Sequence, residues 1–139
     1  MTNTRLFIID PSRALVEATR SLFADSEQIQ IVGWATTAEE ALGKLAQLHP
    51  DLVLVDLVQA DHLSFQLIRA IKGHAYAPAV VVMSLYDSQP FAQLAREVGA
   101  DGFVSKAELV TQLEPLVAAL QTSAHRAHAG ETTSPMGMA

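Results

Sequence analysis

The sequence predicts one α/β domain built on an open, doubly wound parallel sheet of five strands, with helices on both faces. Two observations predict this fold class. Five short apolar runs recur along the 139 residues, each with the length of a buried strand. Between them, apolar residues return every three or four positions, which is the period of an amphipathic helix.

The strands are predicted from the apolar runs. The first, third and fourth runs are continuous, which is typical of strands buried on both faces. The second run alternates only in part, so we expect it at an edge of the sheet. The predicted strands are residues 6–9, 29–34, 52–55, 79–83 and 102–105.

The first two helices follow from caps and spacing. Pro11 or Ser12 opens the first helix. Thr37 and Glu40 form a capping box that opens the second helix, which should stop before Pro50. The expected core face of the first helix comprises Leu15, Ala18, Leu22 and Phe23.

The third helix carries an apolar face from Leu63 to Ile71 and ends near Gly73. The fourth has Pro90 in its first turn, where a missing N–H costs nothing, and Gly99 as its C-terminal cap. Its expected apolar stripe comprises Phe91, Leu94, Ala95 and Val98.

Pro115 decides where the last helix begins. A proline inside a helix costs about 3 kcal/mol. A start at a capping box of Thr111 and Glu114 places Pro115 in the first turn, so we predict that later start. The domain is expected to cover residues 1–121. Residues 122–139 have no period and predict a flexible C-terminal tail or the start of a linker.

Composition excludes several classes of function. Nine Lys and Arg against fifteen Asp and Glu give a formal charge of −6, so nucleic-acid binding by this chain is not expected. The absence of cysteine excludes disulfides, thiolate metal sites and thiol nucleophiles. The apolar run before Asp10 is too short for a signal peptide or membrane span, so we expect a soluble, cytoplasmic protein.

Four polar residues directly follow or end the first, third, fourth and fifth predicted strands: Asp10, Asp56, Ser84 and Lys106. Singly, each is equally consistent with an ordinary cap, turn or solvated residue. Together they are expected to meet where parallel strands end, which is where ligands bind in such sheets. Two carboxylates, a hydroxyl and an ammonium group suit phosphoryl transfer to a carboxylate, with Mg²⁺ offsetting the charge.

At these residues the sequence resembles a known family, the receiver domain of two-component response regulators, which has a flavodoxin-like fold. The resemblance covers about residues 5–121. It is carried by the segments 6–10, 50–57, 80–84 and 99–106, of which the second and fourth are quite specific.

The resemblance implies roles for these residues. Asp56 is similar to the phosphoacceptor, Ser84 to the switch hydroxyl, and Lys106 to the lysine of the site. Asp10 resembles an acidic-pocket residue, and Asp10, Asp56 and Val58 are implied as the Mg²⁺ ligands. Phe103 resembles the switch aromatic; as an ordinary strand residue, it would pack on the last helix.

The chain departs from the family pattern at several positions. Pro11 stands where the family usually has a second acidic residue that binds Mg²⁺, so weak metal binding is expected. Leu85 replaces a small residue beside the phosphorylation site. Val58 and Tyr86 occupy positions that tune hydrolysis, and here they favour a long-lived phosphoryl group. Ala107 replaces a proline often seen after the lysine.

The resemblance implies a histidine kinase or phosphotransfer protein as phosphoryl donor. A downstream protein or the chain's own output domain would bind the phosphorylated form. Whether the chain forms a homodimer is left open. No enzyme activity is expected beyond self-phosphorylation and self-dephosphorylation of Asp56. The alternative is a degenerate receiver that binds proteins without phosphorylation. A flavodoxin-like cofactor carrier is disfavoured, because residues 10–13 contain no glycine for a phosphate loop.

Overall fold

The computed structural model describes residues 3–56, 62–75, 77–84, 89–109 and 111–120. The five predicted strands are all present, and each lies within two residues of its predicted bounds. The strands are β1 (Thr4–Ile9), β2 (Ile29–Ala35), β3 (Leu52–Asp56), β4 (Ala79–Ser84) and β5 (Gly102–Ser105). The helices are α1 (Arg13–Leu22), α2 (Ala38–Leu48), α3 (His62–Lys72), α4 (Gln89–Glu97), a 3₁₀ turn (Lys106–Glu108) and α5, which is already helical at residue 109 and is described again over residues 111–120.

The strands form one parallel sheet in the order β2-β1-β3-β4-β5. The predicted doubly wound fold is confirmed, as is the edge position of β2. Because all five strands run the same way, their last residues lie along one end of the sheet, which we call the carboxyl end. The opposite end, where the strands begin, is the amino end.

Helices cover both faces of the sheet and bury two separate apolar clusters. One cluster lies between the sheet and the helices α2, α3 and α4, and includes Phe7, Val53, Val80, Ile68 and Ala95. The other lies beneath α1 and α5, and includes Leu6, Leu54, Val81, Val16 and Leu113. The strands β1, β3 and β4 therefore carry apolar residues on both faces, which explains their continuous apolar runs.

The pairing of β1 with β2 shifts by one residue between Leu6 and Phe7. Gly33 pairs with Phe7 just after this irregularity. A Cβ atom at Gly33 would lie 2.8 Å from Leu48 Cδ1 and 3.1 Å from Phe7 Cε2, which is too close for ordinary contact. A larger residue at this position would force Leu48 and Phe7 to shift from their present packing against the edge strand.

Of the predicted core face of α1, only Phe23, at the C-terminal cap, is buried. Val16, Thr19 and Phe23 are buried, whereas Leu15 and Leu22 are 41% and 50% exposed. Val16 and Thr19 form one row on the helix, and Leu15 and Leu22 belong to the row beside it. Residues in both rows recur at helical spacing, so periodicity alone does not show which row is buried. Thr19 is tolerated in the core because its hydroxyl donates to the carbonyl of Leu15 at 2.9 Å.

The predicted start of α5 is also wrong. Leu109 already has helical angles (φ −55°, ψ −46°). The predicted capping box does not form, because the Thr111 hydroxyl donates to the carbonyl of Glu108 and the Glu114 carboxylate accepts from Ser26. Pro115 therefore lies beyond the first turn.

The other predicted helix signals are found. Thr37 caps α2 by accepting the Glu40 N–H at 3.2 Å, and Glu40 reaches back to the N–H of Thr36 at 3.0 Å. Gly99 follows α4 with a positive φ of 112°, which other residues adopt only with strain. The predicted apolar stripe of α4 is only partly correct: Ala95 is buried, together with Ala92, but Leu94 is 45% exposed. The predicted tail, residues 122–139, lies outside the described residues.

The single tryptophan lies near the end of the edge strand β2. The guanidinium of Arg13, from α1, is 5.3 Å from the centroid of the Trp34 ring, and Lys44 Nζ, from α2, is 5.1 Å from it. Lys44 also donates to the carbonyl of Trp34 at 2.9 Å. The two helices on opposite faces of the sheet thus meet at this residue.

In the described part of the chain, every helix is too short or too polar to cross a bilayer.

Candidate functional site

The fold places the four predicted polar residues at the carboxyl end of the sheet. Asp10 directly follows β1, Asp56 and Ser84 are the last residues of β3 and β4, and Lys106 directly follows β5. The register pairs Asp56 with Met83 and Ser84 with Ser105. Neighbouring strands therefore end at nearly the same level.

Lys106 joins the two carboxylates. Its Nζ atom donates to Asp56 Oδ2 at 2.8 Å and lies 3.9 Å from Asp10 Oδ2. The side chains of Asp10 and Asp56 are 0% and 1% exposed, and that of Lys106 is 14% exposed. A buried carboxylate pair with one cation is electrostatically costly, and such clusters are more typical of functional sites than of structural ones.

Among the described residues, two carboxylate oxygens in this cluster have no hydrogen-bond donor: Asp10 Oδ2 and Asp56 Oδ1. The remaining oxygen of Asp10, Oδ1, accepts the backbone N–H of Ser12 at 2.9 Å. Buried polar atoms are nearly always paired, so two buried, unpaired oxygens indicate a ligand that supplies positive charge.

The pKa of Asp10 is raised from 3.8 to about 6. Burial is the main cause, and the nearby Asp56 carboxylate also raises this pKa. The Ser12 N–H and the Lys106 ammonium group act in the opposite direction. The site therefore carries more negative charge than its single lysine offsets.

The donor set fits Mg²⁺, although it is small. Two unpaired carboxylate oxygens are ligands that Mg²⁺ prefers, and the ion commonly uses one or two carboxylates plus water. Pro11 contributes no side-chain oxygen, and the described residues contain no cluster of three or more acidic, histidine or cysteine side chains. The predicted ligand Val58 lies outside the described residues.

Ser84 is buried at the end of β4, beside Ser105 of β5. Phe103 is half-buried and packs against the cluster beneath α2, α3 and α4. The expectation that Phe103 packs on the last helix is wrong, because α5 covers the other face of the sheet. The positions of Leu85 and Tyr86 lie outside the described residues.

The sequence offered Ser12 as a possible start of α1, but its contact with Asp10 was not predicted. Its backbone N–H holds Asp10, and its hydroxyl accepts the N–H of Leu15 at 3.3 Å to cap α1. The signal was available, because an aspartate two residues before a serine commonly forms a turn of this kind.

The fold thus places two buried carboxylates and one lysine at the carboxyl end of a doubly wound sheet. The chain matches the response regulator receiver domain family over residues 6–120. The chain therefore belongs to this family, as its resemblance at segments 6–10 and 99–106 implied.

Curated relatives are longer proteins. The chain is 31% identical over 106 residues to protein-glutamate methylesterase/protein-glutamine glutaminase 3 of Geobacter sulfurreducens, covering 76% of this chain and 28% of that protein. It is 36% identical over 109 residues to protein-glutamate methylesterase/protein-glutamine glutaminase 2 of Cereibacter sphaeroides, covering 76% of this chain and 29% of that protein. The chain thus spans less than a third of the length of these relatives.

Among solved structures, the fold is similar to that of a two-component response regulator of the LuxR family from Aurantimonas. The TM-score is 0.78 and the identity is 24%, with 88% of this chain and 87% of that chain covered. This likeness supports the receiver fold.

Proposed function

We propose that this receiver accepts a phosphoryl group on Asp56 from a histidine kinase or phosphotransfer protein. The observation that carries the proposal is the buried Asp56 carboxylate, with Oδ2 held by Lys106 at 2.8 Å and Oδ1 without a donor. One oxygen is fixed by a cation, and the other keeps its lone pairs for a reacting phosphorus atom.

In the proposed transfer, an oxygen of Asp56 forms a bond to phosphorus. The bond between phosphorus and the donor nitrogen breaks, and its electron pair returns to that nitrogen. Lys106 stabilises the added negative charge, and the Ser84 hydroxyl bonds a phosphoryl oxygen. Phe103, on the neighbouring strand, changes its packing when Ser84 moves. These are roles for residues that the fold brings to one end of the sheet.

Mg²⁺ would be held by Asp10 and Asp56, with the carbonyl of Val58 as a further ligand. When bound, the ion offsets the charge between the carboxylates and the incoming phosphoryl group. Because Pro11 supplies no carboxylate, we propose that the metal binds more weakly than it would with a third acidic side chain.

The specific observation of Pro11 also favours a second candidate function. A receiver whose metal site is too weak would bind partner proteins through its surface whether or not Asp56 is modified. Such a protein would have the receiver fold but would not change its conformation in response to phosphorylation. A downstream protein or an attached output domain would be its partner, as it would be for a phosphorylated receiver.

Incubation with acetyl phosphate and millimolar Mg²⁺, followed by intact-protein mass spectrometry, tests the proposal. We expect the mass of one added phosphoryl group. The group should be lost in alkaline hydroxylamine, which cleaves acyl phosphates. Asp56→Asn is the matched variant, because it keeps the size of the side chain and removes the nucleophile.

Asp51→Asn serves as the control, because Asp51 is an exposed aspartate at the amino end of the sheet. An unmodified wild-type protein, or equal modification of wild type and Asp56→Asn, rejects phosphorylation of Asp56. The first of these outcomes supports the degenerate receiver.

A further inference from the structure

The 3₁₀ turn Lys106–Glu108 carries the only cation that contacts the carboxylates among the described residues. Such turns are short and their hydrogen bonds are poorly aligned. This one contains no proline, and the Ser105 side chain does not cap its backbone. Its backbone closure is the bond from the Leu109 N–H to the Lys106 carbonyl. Side-chain contacts around the turn can therefore add to the backbone in setting the direction of Lys106.

Glu108 supplies those contacts. Its Oε2 atom accepts from Gln112 Nε2 at 2.7 Å, and its Oε1 atom accepts from Ser105 Oγ at 3.3 Å. Its carbonyl accepts from the Thr111 hydroxyl at 3.2 Å. An exposed glutamate is usually solvated, but here every acceptor group is used. The 2.7 Å bond from Gln112 is short, as expected for an ionised acceptor, whereas the 3.3 Å bond from Ser105 is long and weaker.

These bonds cross the turn from one side to the other. Ser105 is the last residue of β5, and Gln112 lies in α5. The carboxylate of Glu108 therefore ties the end of the strand to the helix, with Lys106 at the start of the segment between them. The same three side chains also line a groove of about 420 Å³ beside Phe103 and Arg96.

We propose that Glu108 is a positioning residue for Lys106. By bridging Ser105 and Gln112, it holds the turn so that the ammonium group points at Asp56. This inference rests on the proposed role of Lys106 at the phosphorylation site. In this proposal, a carboxylate outside the site sets the orientation of the Lys106 ammonium group.

The test measures Lys106 directly, in protein without metal or phosphoryl donor. The ammonium groups of ¹⁵N-labelled lysines report their hydrogen-exchange rates by NMR, and ion-paired, buried ones exchange slowly. Glu108→Ala should raise the exchange rate of Lys106 roughly two- to tenfold, the range expected for the loss of one net hydrogen bond. Lys72, paired with Asp101 at 2.8 Å at the amino end of the sheet, is the internal control and should not change.

Three further variants separate positioning from other effects. Ser105→Ala and Gln112→Ala each remove one donor and keep the charge of Glu108, so each should give a smaller rise than Glu108→Ala. Glu97→Ala removes a comparable exposed charge from α4 and should give none. The proposal is overturned if Glu108→Ala leaves Lys106 unchanged or if Lys72 changes equally. It is also overturned if neither donor variant moves Lys106.

This readout does not depend on phosphoryl transfer. If Asp56 proves not to accept a phosphoryl group but Lys106 loosens in Glu108→Ala, the positioning role stands and the proposed function fails. If Asp56 is modified and Lys106 is insensitive to Glu108, the proposed function stands and the positioning role fails.

Discussion

The two ends of the sheet each contain a lysine–aspartate pair with the same N···O distance of 2.8 Å, but the surroundings differ. At the amino end, Asp101 Oδ2 also accepts the Val80 N–H, and Lys72 also donates to the Pro78 carbonyl. At the carboxyl end, Lys106 meets two buried carboxylates that retain unpaired oxygens. The distance alone does not distinguish a structural ion pair from a site. The buried carboxylate oxygens without a hydrogen-bond donor distinguish the site at the carboxyl end from the structural ion pair at the amino end.

Removing the cation should have the largest effect, and it should differ between the two ends. Lys106→Met leaves two buried carboxylates without a neutralising cation, so we expect a loss of about 3 kcal/mol in the free energy of unfolding at pH 7.5. Urea denaturation in the absence of Mg²⁺ measures it. Equal losses for Lys106→Met and Lys72→Met would remove the distinction between the two pairs.

The next effect has the opposite sign. The raised pKa of Asp10, about 6 against 3.8, means that the folded protein holds this proton more tightly than the unfolded chain does. Ionisation therefore destabilises the fold, beginning above about pH 3.8 and reaching its full extent above about pH 6. Asp10→Asn removes this cost and should stabilise the metal-free protein by about 1–3 kcal/mol at pH 8.

The stabilisation by Asp10→Asn should be largely lost near pH 4, where the carboxyl group is protonated in the folded state and partly protonated in the unfolded chain. Thermal or urea unfolding at the two pH values checks this dependence. Asp101→Asn, at the amino end, weakens a satisfied ion pair and should destabilise at pH 8. A gain from Asp10→Asn that is equal at pH 4 and pH 8 would contradict the electrostatic explanation.

Restoring a third carboxylate should sharpen the contrast between the ends. Pro11→Asp is expected to raise the affinity for Mg²⁺ roughly tenfold, because it adds an oxygen ligand to the two already present. Isothermal titration calorimetry provides the measurement. Pro11→Ala removes the ring without adding a ligand and should leave the affinity near that of the wild type. If both variants bind alike, residue 11 does not face the metal.

The smallest effect is expected at the amino end. Lys72 and Asp101 have side chains that are 26% and 34% exposed, so solvent screens their interaction. Lys72→Met should therefore reduce the free energy of unfolding by less than about 1 kcal/mol. A loss approaching that of Lys106→Met, measured in the same urea series, would show that the screening argument fails.

Much of the fold could be predicted because several local signals agreed. The apolar runs of β1, β3 and β4 are buried on both faces, so their strand pattern is strong. The capping residues of α1 and α2 marked their starts. The predicted site followed from strand ends alone, since parallel strands finish at one end of the sheet. Asp10, Asp56 and Lys106 lie together there as expected.

The sequence-based predictions were wrong, or were missing, where the structure depends on contacts between residues that are distant in the chain. Val16 and Leu15 belong to adjacent rows of α1, and only the position of the sheet decides which row is buried. Glu114 has a suitable capping partner in sequence, but Ser26, from a distant loop, takes its carboxylate. The network at Glu108 joins a strand end to a helix, so it has no local sequence signature.

The arrangement around Trp34 affects how this domain behaves at high concentration. An exposed edge strand offers free backbone groups to strands of other molecules, which is a common start for aggregation. Near the end of β2, the indole ring of Trp34 contacts two cationic side chains, and Lys44 occupies the carbonyl of Trp34. Growth of the sheet from copy to copy is thereby obstructed on this side.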